Sequence, residues 1–323
     1  MIPSEPKSDA EAWSNLWQHG ERGAIDLDAN DPVAEALRRH WDDQSAWLAQ
    51  CGTVLDVGSG PAVLPRLMVR RHPKLLEPVN WICQDQAKVP PLPGSTGSSR
   101  FQLRAGEDFA SSPPLPSGVD AVISNFGVEY VRRPAVASAL FRWIRPGGRF
   151  HAVVHAGGSL IDQLARLHEA DIALALESAR LFEHADALLR AMASLPADPL
   201  ERMMHGVEAR DAYNGAINQL KSHMEQRGAR SAPLVDMMQS VQHLAGVVRS
   251  QGLEPALQAL SQRHTDYKAE SLRLKAMQGA ALDEAGVQGF VRMLDDAGLR
   301  GLRTSSLVAG PGLVGWVVVA ERP

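Results

Sequence analysis

The stretch from 53 to 62, TVLDVGSGPA, constrains this chain more than any other. Five residues suited to a buried strand run straight into a turn carrying Gly58 and Gly60, and an apolar helical pattern follows over 62–71. A strand, a glycine turn and a helix in immediate succession open a parallel sheet. The glycines let the backbone turn tightly and approach a ligand at the helix N-terminus. The alternation continues. Short strands are predicted over 79–83 (leading into Gln84-Asp85), 101–103, 120–124 and 149–155, with a helix over 133–144 stopped by Arg145-Pro146-Gly147-Gly148. Such alternation predicts an α/β fold. Ahead of it, 31–50 reads as a helix, with Asp31 placed to cap it and Pro32 at its first position.

From about 158 to 279 the pattern changes and no strand is predicted. About four helices are expected, with breaks near Pro196-Ala197-Asp198-Pro199, Gly228, Pro233 and Gly252. Leu181, Ala185, Leu188, Met192 and Leu195 repeat at three-four spacing, as on a helix packed against another helix. The α/β pattern then returns with a helix over 283–297, stopped at Gly298. Strands over 301–308 and 313–320 follow, joined by Ala309-Gly310-Pro311-Gly312, which suggests an antiparallel hairpin. The expected domains are an N-terminal helical cap (1–49), a sheet core (50–157 and 279–323) and a helical insertion (158–278).

The glycine turn is open to two chemistries, hydride transfer with a nicotinamide dinucleotide and methyl transfer. A dinucleotide loop reads G-x-G-x-x-G or G-x-G-x-x-A. Gly58 and Gly60 fit its first two positions, but the third falls on Val63, and the small residue comes one place early, at Ala62. Asp56, two residues before Gly58, would repel a pyrophosphate and suits a ligand with a positive amino group. VLDVGSGPA resembles motif I of the class I S-adenosylmethionine-dependent methyltransferases, with Ala62 in place of the last glycine. The added methyl is expected to be tolerated where helix and loop pack.

The resemblance runs on through 50–157 and 280–323. It implies that Asp56, Gly58, Ser59, Gly60 and Ala62 hold the cofactor, S-adenosyl-L-methionine. Asp85 stands where the family binds both ribose hydroxyls, which a carboxylate can accept together, and Gln86 would lie beside the adenine. Glu107 and Asp108 follow the third strand, with Asp108 as acceptor for the adenine amino group. Asn125 and Phe126, in SNFGVEY, would lie under the methionine moiety. Arg145-Pro146-Gly147-Gly148 matches the turn before the fifth strand, and the last hairpin matches the family's reversed seventh strand. The implied fold is a Rossmann-like methyltransferase sheet of seven strands, the last hairpin antiparallel, with a large α-helical insertion after strand five. Trp13, Trp17 and Gly20 resemble a W-x-x-x-W-x-x-G lead-in that covers the cofactor site in some small-molecule methyltransferases.

The resemblance implies methyl transfer by direct displacement to a small or lipid-like acceptor. Oxygen is favoured as the methylated atom, with carbon and nitrogen open. The alternatives are a protein or RNA methyltransferase, a non-catalytic cofactor-binding partner module, and a nicotinamide oxidoreductase, against which Val63 and Asp56 count. A hydroxyl acceptor needs a base. His155 is the candidate, at the end of the fifth strand, where ligands of parallel sheets bind and with an imidazole suited to proton abstraction near neutrality. A hydrogen-bonded structural histidine is the competing reading. His151 is expected to be structural, and Glu129 and Tyr130 are open between substrate-facing and packing roles.

Composition narrows the partners. With 33 basic and 37 acidic residues the net charge is −4, and 158–278 carries 13 basic and 15 acidic residues, which argues against a nucleic-acid surface. No apolar run is long enough for a membrane span and the N-terminus carries no signal-peptide core, so a cytoplasmic protein is expected. Cys51 and Cys83 are expected to be buried and reduced. The six histidines of the insertion show no metal-ligand spacing, so no metal is expected. The insertion itself has three readings: a lid over the substrate, a homodimer interface, or a surface for another protein.

Overall fold

A computed structural model of the chain describes residues 8–18, 25–90, 100–131, 133–194, 198, 201, 204–228 and 230–323. Gly20, Leu195, Pro196, Ala197 and Pro199, which figure in the expectations above, lie outside the described residues. Two compact units form, one from Ser8–Leu164 with Ala276–Pro323, the other from Ala165–Lys275.

The first unit is built on a seven-stranded sheet. Its strands are β1 (Thr53–Val57), β2 (Asn80–Asp85), β3 (Phe101–Ala105), β4 (Val119–Asn125), β5 (Ile144–His155), β6 (Arg300–Ala309) and β7 (Gly312–Glu321), in the spatial order β3-β2-β1-β4-β5-β7-β6. The first five are parallel, whereas β7 runs antiparallel to both β5 and β6. The order turns back at β1, so the carboxyl ends of β1 and β4 flank a topological switch point, where open α/β sheets bind ligands. One face packs on α2 (Pro32–Asp43), α3 (Ser45–Leu48), α4 (Val63–Arg71) and α5 (Pro73–Leu76) through Leu37, Trp41, Met68 and Trp81. The other face buries Leu140, Trp143, Phe150 and Phe290 beneath α6 (Arg133–Trp143) and a C-terminal helix, Glu284–Asp296.

Local chemistry explains most boundaries. Asp31 caps α2, accepting from the backbone N–H groups of Val33 and Ala34, with Pro32 behind it. The helix expected over 31–50 breaks at Gln44 into α2 and α3. Ala62 precedes α4 rather than opening it and lies in the left-handed region at φ 54°. That conformation favours glycine, and holding alanine in it strains the turn by about 1–2 kcal/mol. The Arg145–Gly148 segment does not precede β5 but bulges from it: Ile144 pairs with Val119 and Arg149 with Ala121. Arg145 donates to Asp120, whose other oxygen accepts from the Thr53 N–H, pinning this bulge to the start of β1. Cys51 and Cys83 are free and buried.

The second unit is helical, with its own core of Ile172, Leu181, Phe182, Leu220, Met237 and Leu260. Between 160 and 280 the described residues hold five α-helices rather than four: α7 (Leu160–Ala173), α8 (Leu181–Ala193), α9 (Val207–Arg227), α10 (Ala232–Gln251) and α11 (Leu253–Ala280). The additional break follows a π-turn at Leu174–Ser178 and passes through Arg180 at φ 47°, with no glycine or proline to announce it. The buried face of α8 runs through Leu181, Ala185 and Leu189, with Met192 packed beside it, so Leu189 takes the place expected of Leu188. Asp171, fully buried, accepts from Arg227 (2.6 and 2.7 Å) and bonds His223 (3.0 Å). Burial pushes its carboxyl up, but hydrogen bonds from Ser231, Arg227 and His223 prevail and hold it below the usual range.

Candidate active site

The carboxyl end of β1 builds the centre of the site. Gly58 and Ser59 both donate their N–H to the Gln84 carbonyl of β2 (2.9 and 3.1 Å), which bends the chain over the neighbouring strand. Gly58 sits at φ 70° and Gly60 at φ 51°. At Gly58 a Cβ would stand 2.5 Å from the Gly127 Cα, and at Gly60 it would meet the Trp17 indole at 2.9–3.3 Å. Glycine is thus required at both places for conformation and for space. Ser59 is buried, its hydroxyl donating to the Gly60 carbonyl.

Two carboxylates flank this loop, Asp56 buried and Asp85 half-buried. Asp56 is 1% exposed, and its Oδ2 has no hydrogen-bond partner. Burial, with Asp85 adding to it, pushes its carboxyl well above the usual range. Asp85, at the end of β2, accepts from the Gly60 N–H on one oxygen (2.7 Å) and from the Ala87 N–H on the other (2.8 Å). Burial raises its carboxyl too, and those two bonds only partly offset this. Each Asp85 oxygen keeps a lone pair, enough for a diol. Asp56 offers an unmet acceptor for an ammonium group. This set of acceptors therefore fits a ligand carrying both.

The remaining predicted residues frame the loop. Gly106 and Glu107 donate their N–H groups to the Ala87 and Asp85 carbonyls (3.0 and 3.1 Å), which brings the 106–108 turn beside Asp85. There Glu107 accepts weakly from Ser112 (3.4 Å), while Asp108 holds its own turn through the Ala110 N–H and the Ser111 hydroxyl. Gln86 is exposed. On the other side, Gly127 of the β4 exit crosses Gly58. Ser124 donates to the Val57 carbonyl (2.7 Å) and accepts from the Val128 N–H (2.9 Å). Asn125 accepts from the Trp41 indole (2.9 Å), and Phe126, at φ 60°, stacks on His155 with ring centroids 4.4 Å apart.

His155 differs from its expectation in one respect. Its ring is buried between Phe126 and Tyr130, and burial drives its pKa down to about 3 rather than leaving it near neutrality. It is neutral at physiological pH but a weak base there. His151 is buried against Trp41 and Trp47 and bonds His40 (2.9 Å). The residue whose part the sequence left open is Glu129: it is buried, its Oε1 accepts from the His155 backbone N–H (2.7 Å), and burial raises its pKa to about 7. Its one signal was an acid set between Val128 and Tyr130, at a strand's carboxyl end. Helix α1 (Asp9–Gln18) closes the near side. Trp17 packs on Gly60 with its indole N–H buried and unpartnered, and Trp13 stacks on Trp17 and meets Tyr130 edge-on. Ser14 accepts from the Lys88 N–H (2.9 Å), anchoring the helix beside Asp85.

The strand order, the reversed β7 and the acid–glycine loop after β1 make this a Rossmann-like α/β fold with an antiparallel last hairpin. No family model and no curated protein matches the chain. Among solved structures, the chain is similar to an S-adenosylmethionine-dependent methyltransferase of Methanococcus maripaludis assigned by inference (12% identity, all of this chain and 97% of that one, TM-score 0.46). It is also similar to PigF with SAH (13% identity, 90% and 64%, TM-score 0.36) and to YcgJ of Bacillus subtilis (20% identity, 40% and 59%, TM-score 0.32). In several such matches the chain spans 51–59% of the other protein's length. Among the described residues, no helix is long and apolar enough to cross a membrane, and no group of three metal-ligating side chains forms.

Proposed function

We propose that this chain is an S-adenosylmethionine-dependent methyltransferase that acts by direct displacement on a small or lipid-like acceptor, with oxygen the favoured methylated atom. One observation carries the reading: a glycine turn held between buried Asp56, which has an oxygen without a partner, and half-buried Asp85, which is already bonded to the turn. Asp56 would take the ammonium group of the cofactor, Asp85 its ribose diol, and the Asn125–Phe126 segment would lie along its methionine chain. The bound cofactor supplies the electrophilic methyl. The protein positions the acceptor in line with it and excludes water, which is most of what a displacement needs.

The buried Asp56 disfavours a pyrophosphate and so the nicotinamide alternative. Both connections to the helical insertion leave from the carboxyl end of β5, where Ala156 and Leu282 form a parallel bridge. Segments at this edge carry specificity in α/β folds, which supports a role for the insertion in choosing the acceptor. Titration calorimetry is the test. S-adenosylmethionine and S-adenosylhomocysteine should both bind, and Asp85→Ala should weaken each at least tenfold, since two hydroxyls lose a charged partner. A wild-type protein that binds neither overturns the proposal.

A further inference from the structure

Resting on that reading, we infer that Glu129 is the group that faces the transferring methyl and takes the proton of a hydroxyl acceptor, and that His155 serves to hold it. Three observations place it. The turn that carries Glu129 is locked against the cofactor loop, because Gly127 and Gly58 cross with no room for a Cβ on either and Ser124 ties Val57 to Val128. The carboxylate reaches across to β5, where the His155 backbone N–H fixes Oε1. Its Oε2 is buried and has no hydrogen-bond partner. A buried carboxylate oxygen without a donor is costly unless a ligand meets it.

In the step this assigns, the acceptor O–H gives its proton to Oε2 as the new O–C bond forms. The S–C bond breaks with its electron pair passing to sulfur, and the carboxylic acid later releases the proton to water. Burial has already brought Glu129 to about 7, where a base is neither too weak nor permanently protonated. His155, near 3, is a far weaker base, and its ring is committed to Phe126.

A group facing the methyl must sense the sulfonium. S-adenosylmethionine carries that charge and S-adenosylhomocysteine does not, so only the former should favour ionised Glu129. The other titratable groups here are His155 with Asp162 beyond it on the β5 side, Asp56 and Asp85 behind the glycine loop, and Tyr130 on the same turn. Asp56 and Asp85 would meet groups common to both ligands, so their titration cancels in a ratio of affinities.

Calorimetry from pH 6 to pH 8 on the wild type and Glu129→Gln reads this directly. For a one-unit effect on Glu129, the ratio of S-adenosylmethionine to S-adenosylhomocysteine affinity should rise about fivefold with pH in the wild type. It should stay flat in Glu129→Gln, which still binds S-adenosylhomocysteine. If Glu129→Gln does not fold, Glu129→Asp should move the midpoint of the rise. A wild-type ratio independent of pH, or a rise unchanged by either variant, overturns the inference while leaving the proposed function standing. Failure of both ligands to bind overturns both.

Discussion

Replacing Gly127 with alanine tests the backbone crossing on which the site is built. Gly127 has a negative φ, −134°, so no left-handed strain arises and the effect is steric. A Cβ there would stand 2.5 Å from the Val57 carbonyl oxygen and 2.7 Å from the Gly58 Cα, both backbone atoms that cannot swing aside. Forcing a methyl into so tight a place costs about 1–3 kcal/mol. The reduced freedom of the unfolded chain returns about 0.4–1 kcal/mol. The net loss is about 1–2 kcal/mol, or roughly 2–8 °C in Tm for a unit of about 200 residues. All seven tryptophans lie outside 165–275, so tryptophan fluorescence melts report on the sheet unit alone. Gly58→Ala should be worse, because φ 70° adds about 1–2 kcal/mol to the same collision. An unchanged Tm for Gly127→Ala, or Gly58→Ala the milder of the two, refutes the reasoning.

Asp56→Asn should stabilise the sheet unit while abolishing binding of S-adenosylmethionine. The Asp56 carboxyl is raised on folding, so its ionisation opposes the fold progressively as pH climbs above the unfolded value of about 3.9. The gain in Tm over wild type should therefore grow from pH 4 to pH 8 in fluorescence melts, and a constant difference counts against it. Asp171→Ala should destabilise the helical unit by about 3 kcal/mol, since it strands the half-buried Arg227. Because Asp171 is held below its ordinary value, the wild-type contribution should be present above about pH 4 and disappear as pH falls further. Far-UV circular dichroism followed against pH, with the tryptophan signal as reference, measures both.

Much of this was legible in the chain because it rests on local rules. The Asp31-Pro32 cap, the 53–57 strand and the reversed final hairpin each follow from residues within a few positions of one another. The readings that missed share a different origin. Nothing in the composition at Gln44 or Ala179-Arg180 signals a break. Ala62 in a left-handed conformation contradicts its own propensity, and only the loop around it explains why it is tolerated. The fall of His155 to about 3 and the rise of Glu129 to about 7 depend on burial among residues from three separated segments. Spacing alone could place both side chains at strand ends, but it could not rank them as bases.

The seating of β7 between β5 and β6 has a consequence for biosynthesis. Val153 pairs with Val317, and everything in the helical insertion is made between them. At about 5–20 residues per second, some ten to thirty seconds separate the emergence of β5 from that of its partner. Throughout that interval β5 presents an apolar strand, Phe150–Val154, with one edge unpaired, and such an edge invites association with other nascent chains. The helical unit, whose core contacts are confined to 172–274, has time to fold first. The sheet closes only when the β6–β7 hairpin arrives beside β5.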